Sequence, residues 1–196
     1  MLKLIEIEFK EFKRVIYPHY LELFPKSEQK SLKDIKKPYL KGITKLVKIM
    51  DDDIIVGFLI YNTLTNNQYV QLDYFAIFKE FQNKQYGSKA IQQFQKFFHE
   101  YNGIYGEVEK AGLGKTETEN KIREKRIKFW ESLGFELLNI DLELFKVIYS
   151  PCILKIKDIE LDNDEIMKSA FEIYNALLGE KSVKKNCRII KGSEFK

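Results

Sequence analysis

A mixed α/β fold is what the sequence predicts, and three observations predict it. Within Val70–Ile91 the apolar period changes: Leu72, Tyr74, Ala76 and Phe78 alternate with Phe75 and Ile77, as in a strand. Further on, Ala90, Ile91, Phe94, Phe97 and Phe98 recur at helical spacing, after polar Lys79–Asn83 (broken only by Phe81) and a small-residue step at Gly87–Ser88. Ahead of this stretch, short alternating apolar runs are separated by turn residues. Behind it, helical runs and strands interleave, which completes the α/β pattern.

Taken in order, Leu2–Phe9 alternates and reads as the first strand. Phe12, Val15, Ile16, Tyr20, Leu21 and Phe24 then recur at helical spacing. Pro18 falls inside that run and, with no N–H to give, predicts a kink or short break there; Pro25 ends the segment. Ser27 or Ser31 is placed to cap a second short helix ending near Pro38. Ile43–Met50 and Ile54–Tyr61 flank Asp51, Asp52 and Asp53 as a hairpin, and three acids at a turn tip read as solvated charge rather than metal ligands. Asn66–Asn67 marks the next turn.

Beyond Gly103, Ile104–Val108 reads as a short strand and residues 110–119 as a flexible loop. Ile122, Arg126, Phe129, Trp130 and Leu133 lie along a helix stopped by Gly134 in the left-handed conformation, with Phe129, Leu133 and Phe135 expected in the core. Phe135–Ile140 and Phe145–Ile156 read as closing antiparallel strands. Asp162 or Asn163 caps a last helix carrying Ile166, Ala170, Ile173, Tyr174 and Leu177 and stopped at Gly179. Lys181–Lys196 reads as a polar, frayed tail. Residues 1–157 are expected to form one domain, with 158–196 a C-terminal helix and tail packed on it or trailing from it.

Composition narrows the function classes. With 196 residues, 44% hydrophobic and 14% aromatic, the chain can bury a core and is not a disordered polypeptide. Its 32% charged residues nearly cancel to +4 without a concentrated basic element, so nucleic acid is not an expected partner. No apolar run approaches the ~20 residues of a membrane helix, and the alternating start reads as a strand rather than a signal peptide. Cys152 and Cys187 lack metal-ligand spacing, and His19 and His99 do not make a zinc site, so no metal is expected and the thiols read as free in a reducing cytoplasm. Gly112–Thr116 ends like a nucleotide P-loop, but Glu109 stands where its first glycine is required, and no long helix is expected to follow immediately.

A strand, a tight loop and a helix with glycine in its first turn aim unpaired N–H groups and the positive end of the helix dipole at the loop, which suits an anion, usually phosphate. The string Gln82-Asn83-Lys84-Gln85-Tyr86-Gly87 resembles the acyl-CoA signature of the GNAT N-acetyltransferases, (Arg/Gln)-x-x-Gly-x-(Gly/Ala). Gln82 fills its first slot and Gly87 its last, while Gln85 replaces the middle glycine. A second stretch, Arg126–Phe135 with Phe129, Trp130, Gly134 and Phe135, resembles the family's late Phe-Tyr-x-x-x-Gly-Phe motif. The two cover roughly the middle half of the chain.

The resemblance implies a central, mostly antiparallel sheet of six to seven strands flanked by helices, with the extra C-terminal helix. It implies acetyl-CoA as cosubstrate, with its pyrophosphate on backbone N–H groups of Gln85, Tyr86, Gly87 and Ser88, and Lys84 and Lys89 adding charge beside Gln82. Its pantetheine arm would pair with backbone at Ala76, Ile77 and Phe78, where one amide doubles as oxyanion donor. The segment between the first two strands, rich in lysine (Lys26, Lys30, Lys33, Lys36, Lys37, Lys41), would shape the acceptor pocket, or be a solvated helix face. A homodimer through late strands is a family trait.

Acyl transfer from a thioester to an amine needs placement, a base for the ammonium proton, an oxyanion donor and an acid for the thiolate. Strand carboxylates are the base candidates: Asp73, Glu107 and Glu109, with Glu107 favoured. The competing reading is an ion pair with Arg123 or Arg126. In the late motif the tyrosine that many relatives use as acid is Trp130, whose indole N–H is far too weak an acid; Tyr101, Tyr105, Tyr149 or water would have to serve. The sequence therefore reads as a cytoplasmic N-acetyltransferase moving acetyl from acetyl-CoA to a primary amine of a small molecule or peptide. The alternative is a catalytically weak acyl-CoA-binding regulatory module, motivated by Gln85 and Trp130.

Overall fold

The computed structural model describes residues 1–190, and the chain divides into two compact units, Met1–Glu100 and Tyr101–Lys196. The first opens with β1 (Leu2–Glu6), then a helical path of α1 (Phe9–Glu11), a π-helical segment Phe12–Ile16 and α2 (Tyr17–Leu23). Pro18 explains the π segment. Its ring would meet a carbonyl of the preceding turn in a regular helix. The turn ahead of it widens instead, so that the Tyr17 N–H donates to Phe12 O five residues back. The expected kink is thus absorbed as a wider turn. Spacing of four residues drifts around an α-helix of 3.6 per turn, and the widened turn offsets that drift. Phe12, Ile16 and Tyr20 consequently all reach the core.

Ser31 Oγ accepts the Asp34 N–H at 3.2 Å and caps α3 (Leu32–Leu40), which runs two residues past Pro38. β2 (Thr44–Asp51), β3 (Ile54–Asn62) and β4 (Tyr69–Ile77) follow, and the four strands pair antiparallel in chain order. The alternation expected for β4 decides its two faces. Tyr74 and Phe78, with Ala76, pack among Phe12, Ile16, Tyr20, Phe58 and Ile60 on the α1–α3 side. Phe75 and Ile77 pack with Leu2, Ile49, Val56 and Ala90 on the other. Between Leu72 and Tyr74 the pairing with β3 slips by one residue, which leaves Asp73 as the extra residue of a β-bulge.

A 3₁₀ turn, Lys79–Phe81, leads to α4 (Tyr86–Gln92), which begins one residue before Gly87. The single helix expected to reach Phe98 breaks at Gln93, whose N–H donates to Ala90 O, and resumes as α5 (Phe94–Phe97). The break turns Phe97 and Phe98 edge-on to Tyr61, with ring centroids 6.2 and 4.9 Å away.

The second unit comprises β5 (Gly103–Glu109), α6 (Glu117–Ser132), β6 (Glu136–Leu137), β7 (Asp141–Leu144), β8 (Val147–Lys155), α7 (Asn163–Leu178), α8 (Glu180–Asn186) and β9 (Cys187–Ile190). Its strands run β5-β8-β7-β9, all antiparallel, with β6 also on β8. The described residues therefore hold nine strands, more than the six to seven expected, because the late segment is divided more finely. The strand expected over Phe135–Ile140 shrinks to β6. Phe145, expected in a strand, is instead a turn residue: Phe145 (φ 50°) and Lys146 (φ 69°) form a two-residue hairpin loop, left-handed at both positions. Bulky residues oppose that conformation, which is why the turn was not legible in the sequence. The expected polar tail folds as α8 and β9 as far as Ile190; residues 191–196 lie outside the described residues.

Two further expectations change here. A 16-residue helix, α6, does start directly after Thr116. The P-loop look-alike still offers no phosphate cradle: the Gly114 N–H donates to Asn120 Oδ1 at 2.6 Å and the Lys115 N–H to Glu119 Oε2 at 2.8 Å, so the helix's own side chains hold those donors. With Thr116 Oγ1 accepting the Glu119 N–H, residues 114–120 are a capping structure rather than a flexible loop. Phe129, expected in the core, is 43% exposed on α6, while Phe135 is buried behind Gly134 (φ 91°). No helix among the described residues is long and apolar enough to cross a membrane.

Candidate active site

In the first unit, the end of β4 offers the expected backbone groups. The Phe78 N–H donates to Val56 O, which makes that pair hydrogen-bonded and the neighbouring Gly57–Ile77 pair not. By the antiparallel alternation, Ala76 and Phe78 turn their N–H and C=O groups to β3, whereas those of Ile77 point away from it. Gln82 Nε2 donates to Ile77 O at 3.0 Å, so the first slot of the signature anchors the loop to the strand end.

The loop then passes through two left-handed residues, Asn83 (φ 61°) and Gln85 (φ 63°), into α4. The Lys89 N–H donates to Gln85 O as the first bond of the helix, leaving the N–H groups of Tyr86, Gly87 and Ser88 ahead of it without an intrahelical acceptor. Lys84 Nζ donates to Glu80 O at 2.8 Å and lies 5.7 Å from the Phe81 ring centroid; Lys89 Nζ lies 5.5 Å from that of Tyr86.

One fastening was not foreseen. Tyr86 OH donates to Asp51 Oδ2 at 2.9 Å, tying the first turn of α4 to the β2–β3 hairpin. Asp51 is therefore not the solvated turn acid expected from its neighbours, although Asp52 is. The Tyr86 hydroxyl, then the N-terminal ammonium, hold the Asp51 carboxyl below its ordinary value. A carboxyl depressed in the folded chain adds stability above its unfolded value that is lost as pH falls through the folded one. The midpoint gap between the native chain and Tyr86→Phe should accordingly be present at neutral pH and close below about pH 4. A gap unchanged by acid would show that the ring, not the bond to Asp51, matters.

The three base candidates have distinct surroundings. Asp73 Oδ2 takes Lys30 Nζ at 2.5 Å, and that ammonium lies 5.4 Å from the Tyr74 ring centroid. The loop that carries Lys30 is itself fastened, since the Lys30 N–H donates to Tyr20 OH at 2.6 Å and Tyr74 OH donates to Glu28 O at 2.5 Å. Burial and the Asp73 charge push the Tyr74 hydroxyl far up. In the second unit, Glu109 pairs with Arg123 at 3.3 Å and Arg126 at 3.9 Å, the ion pair weighed from the sequence. Glu107, on the same strand, accepts a hydrogen bond from Tyr174 OH on α7. Around that carboxylate, burial first and then its charge push the Cys152 thiol up to about 12 and the Tyr174 hydroxyl well above its usual range.

A profile of the acetyltransferase (GNAT) family matches residues 10–135, about two thirds of the sequence. The chain belongs to the GNAT acetyltransferase family. No curated protein matches the sequence. Among solved structures, a Bacteroides thetaiotaomicron protein described as a GNAT-family acetyltransferase aligns at 19% identity and TM-score 0.72, over 90% of this chain and 98% of that one. A Bacillus subtilis acetyltransferase in complex with CoA aligns at 16% identity and TM-score 0.56, over 80% and 100%. A spermidine N-acetyltransferase chimera of Vibrio cholerae and hSSAT aligns at 16% and 0.58, over 79% and 95%. At these identities the alignments establish the GNAT fold.

The family signature now has a physical reading in this chain. Its middle glycine falls on Gln85, and Gln85 sits at φ 63°, the conformation that only glycine adopts without a Cβ penalty. The GNAT chain keeps the turn and bears the strain. Gln85→Gly removes ~1–2 kcal/mol of strain at a cost of ~0.5–1 in unfolded-chain entropy. A net rise of about 0.5–1 kcal/mol in thermal stability is expected; a fall would mean that the glutamine side chain contributes more than the strain removes.

Sequence reasoning missed Tyr174, Lys30 and Asp51, each 35 or more residues from its partner. Only Tyr174 carried a signal: a tyrosine on an otherwise aliphatic helix stripe needs somewhere to put its hydroxyl.

Proposed function

We propose that this GNAT chain transfers an acetyl group from acetyl-CoA to a primary amine of a small molecule or peptide by direct attack. The observation that carries it is the strand end and helix start of the signature, where the outward Ile77 amide and the N–H groups of Tyr86, Gly87 and Ser88 are held by Gln82, Asn83 and Gln85. Those three N–H groups and the α4 dipole suit the pyrophosphate, and the Ile77 N–H suits the developing oxyanion. The neutral amine forms the N–C bond at the thioester carbonyl, the C–S bond breaks, and the thiolate takes its proton from water. Glu107 takes the proton of the acceptor ammonium. Asp73 and Glu109 each already hold a cation that would have to leave first, whereas Glu107 is oriented by a neutral hydroxyl among buried side chains.

The test is thermal unfolding with and without acetyl-CoA, alongside thiol release over a panel of amines. Ligand at 100 times its Kd stabilises by about 2.7 kcal/mol. A raised midpoint with amine-dependent thiol release supports the transferase. A raised midpoint without release favours the acyl-CoA-binding regulatory module, for which Trp130 in the tyrosine slot speaks. No shift near millimolar ligand would overturn the reading.

A further inference from the structure

We propose that Tyr174, on the C-terminal helix α7, is a positioning residue that orients the Glu107 carboxylate and holds it ionised, ready to take the acceptor's proton. This rests on the reading of Glu107 as the base. α7 lies wholly beyond the residues matched by the family profile, so the contact is supplied by an element outside the shared core. Tyr174 is 3% exposed and lies on the buried stripe with Ile166, Ala170 and Ile173, so its ring has little freedom and its hydroxyl is aimed by packing. That hydroxyl donates to Glu107 Oε1. Occupying one oxygen fixes the plane of the carboxylate and leaves Oε2 as the atom that takes a proton.

The groups facing this pair are Tyr105 on β5, Cys152 on β8 and Cys187 on β9, all buried and all neutral at physiological pH. On Glu107's own strand, Glu109 is occupied by Arg123 and Arg126. In such surroundings a hydrogen bond to the charged form does more than it would in water. The sign follows: removing the hydroxyl removes a donor that favours the carboxylate, so the proton affinity of Glu107 rises.

The experiment uses the full chain as native protein, Tyr174→Phe, Glu107→Gln and the double variant. The side-chain carboxyl carbon of Glu107, identified by its loss in Glu107→Gln, is titrated by ¹³C NMR. Its midpoint is expected to rise by about one to two pH units in Tyr174→Phe, the shift matching loss of one charge-assisted hydrogen bond. With acetyl-CoA and phenethylamine as probes, the acid limb of kcat/KM should move up with it, while KM for acetyl-CoA stays put. An unmoved carboxyl midpoint in Tyr174→Phe overturns the inference, whether or not the probe amine turns over. A moved midpoint with an unmoved limb also overturns it. Should Glu107→Gln keep full turnover, the base reading falls instead, and the two failures are told apart. If Tyr174→Phe is too unstable to titrate, the double variant decides: recovered stability means the lost donor had orphaned Glu107, and additive loss means the two side chains are uncoupled, which overturns the inference.

Discussion

Glu107→Gln is expected to lower kcat for amine acetylation by about 10²–10⁴-fold, the usual contribution of a positioned base. The amide keeps the size of the side chain and an oxygen to accept from Tyr174, so the fold and acetyl-CoA affinity should be retained. It cannot take a proton. The loss should therefore appear in kcat and kcat/KM together and shrink as pH rises toward ~10, where an alkyl amine arrives neutral without help. Parallel measurements on Asp73→Asn and Glu109→Gln locate the role: a larger loss in either would move the base there and dissolve the assignment of Glu107.

Gly57→Ala should be the most damaging single methyl group in the first unit. A Cβ on Gly57 would lie 2.4 Å from Ala76 O and 3.0 Å from Ile77 Cδ1, and backbone cannot step aside as a side-chain tip can. Relief requires β3 and β4 to part where Ala76, Ile77 and Phe78 are set. Overpacking of this kind costs about 1–3 kcal/mol or somewhat more, lowering the midpoint of a chain this size by roughly 3–12 °C. Acetyl-CoA affinity should fall as well, because the strand end that presents the Ile77 amide is the part displaced. A variant with native midpoint and native affinity would show that the strands separate there without strain.

The fold was legible where periodicity decides it. The switch at Val70–Ile91, the hairpin around Asp51–Asp53 and the stop at Gly134 each follow from residues adjacent in the chain. Elements failed to be legible where tertiary contacts overrule local preference. Phe145 and Lys146 occupy a left-handed turn that their side chains disfavour, with the Phe145 N–H donating to Asn186 O from α8. Cys187–Ile190 is a strand because β7 pairs with it. The site divides in the same way. The loop from Gln82 to Ser88 was readable because spacing fixes its backbone. The partners that distinguish the three carboxylates were not, because Lys30–Asp73 and Tyr174–Glu107 join positions 43 and 67 residues apart. Glu109 with Arg123 was foreseen because both flank one strand-to-helix connection.

Both cysteines are shut away, Cys152 at 2% and Cys187 at 7% exposure, with thiols whose proton affinity burial has raised. A protein that handles thioesters is exposed to a hazard of its own, because any accessible thiolate can capture the acyl group by exchange. Here neither sulfur is ionised or reachable in the folded chain, so the protein is chemically silent toward the bond it would cut. The same silence makes the two sulfurs useful: alkylating reagents should label them only when the chain opens, so their labelling rate is a clock for unfolding rather than for surface chemistry.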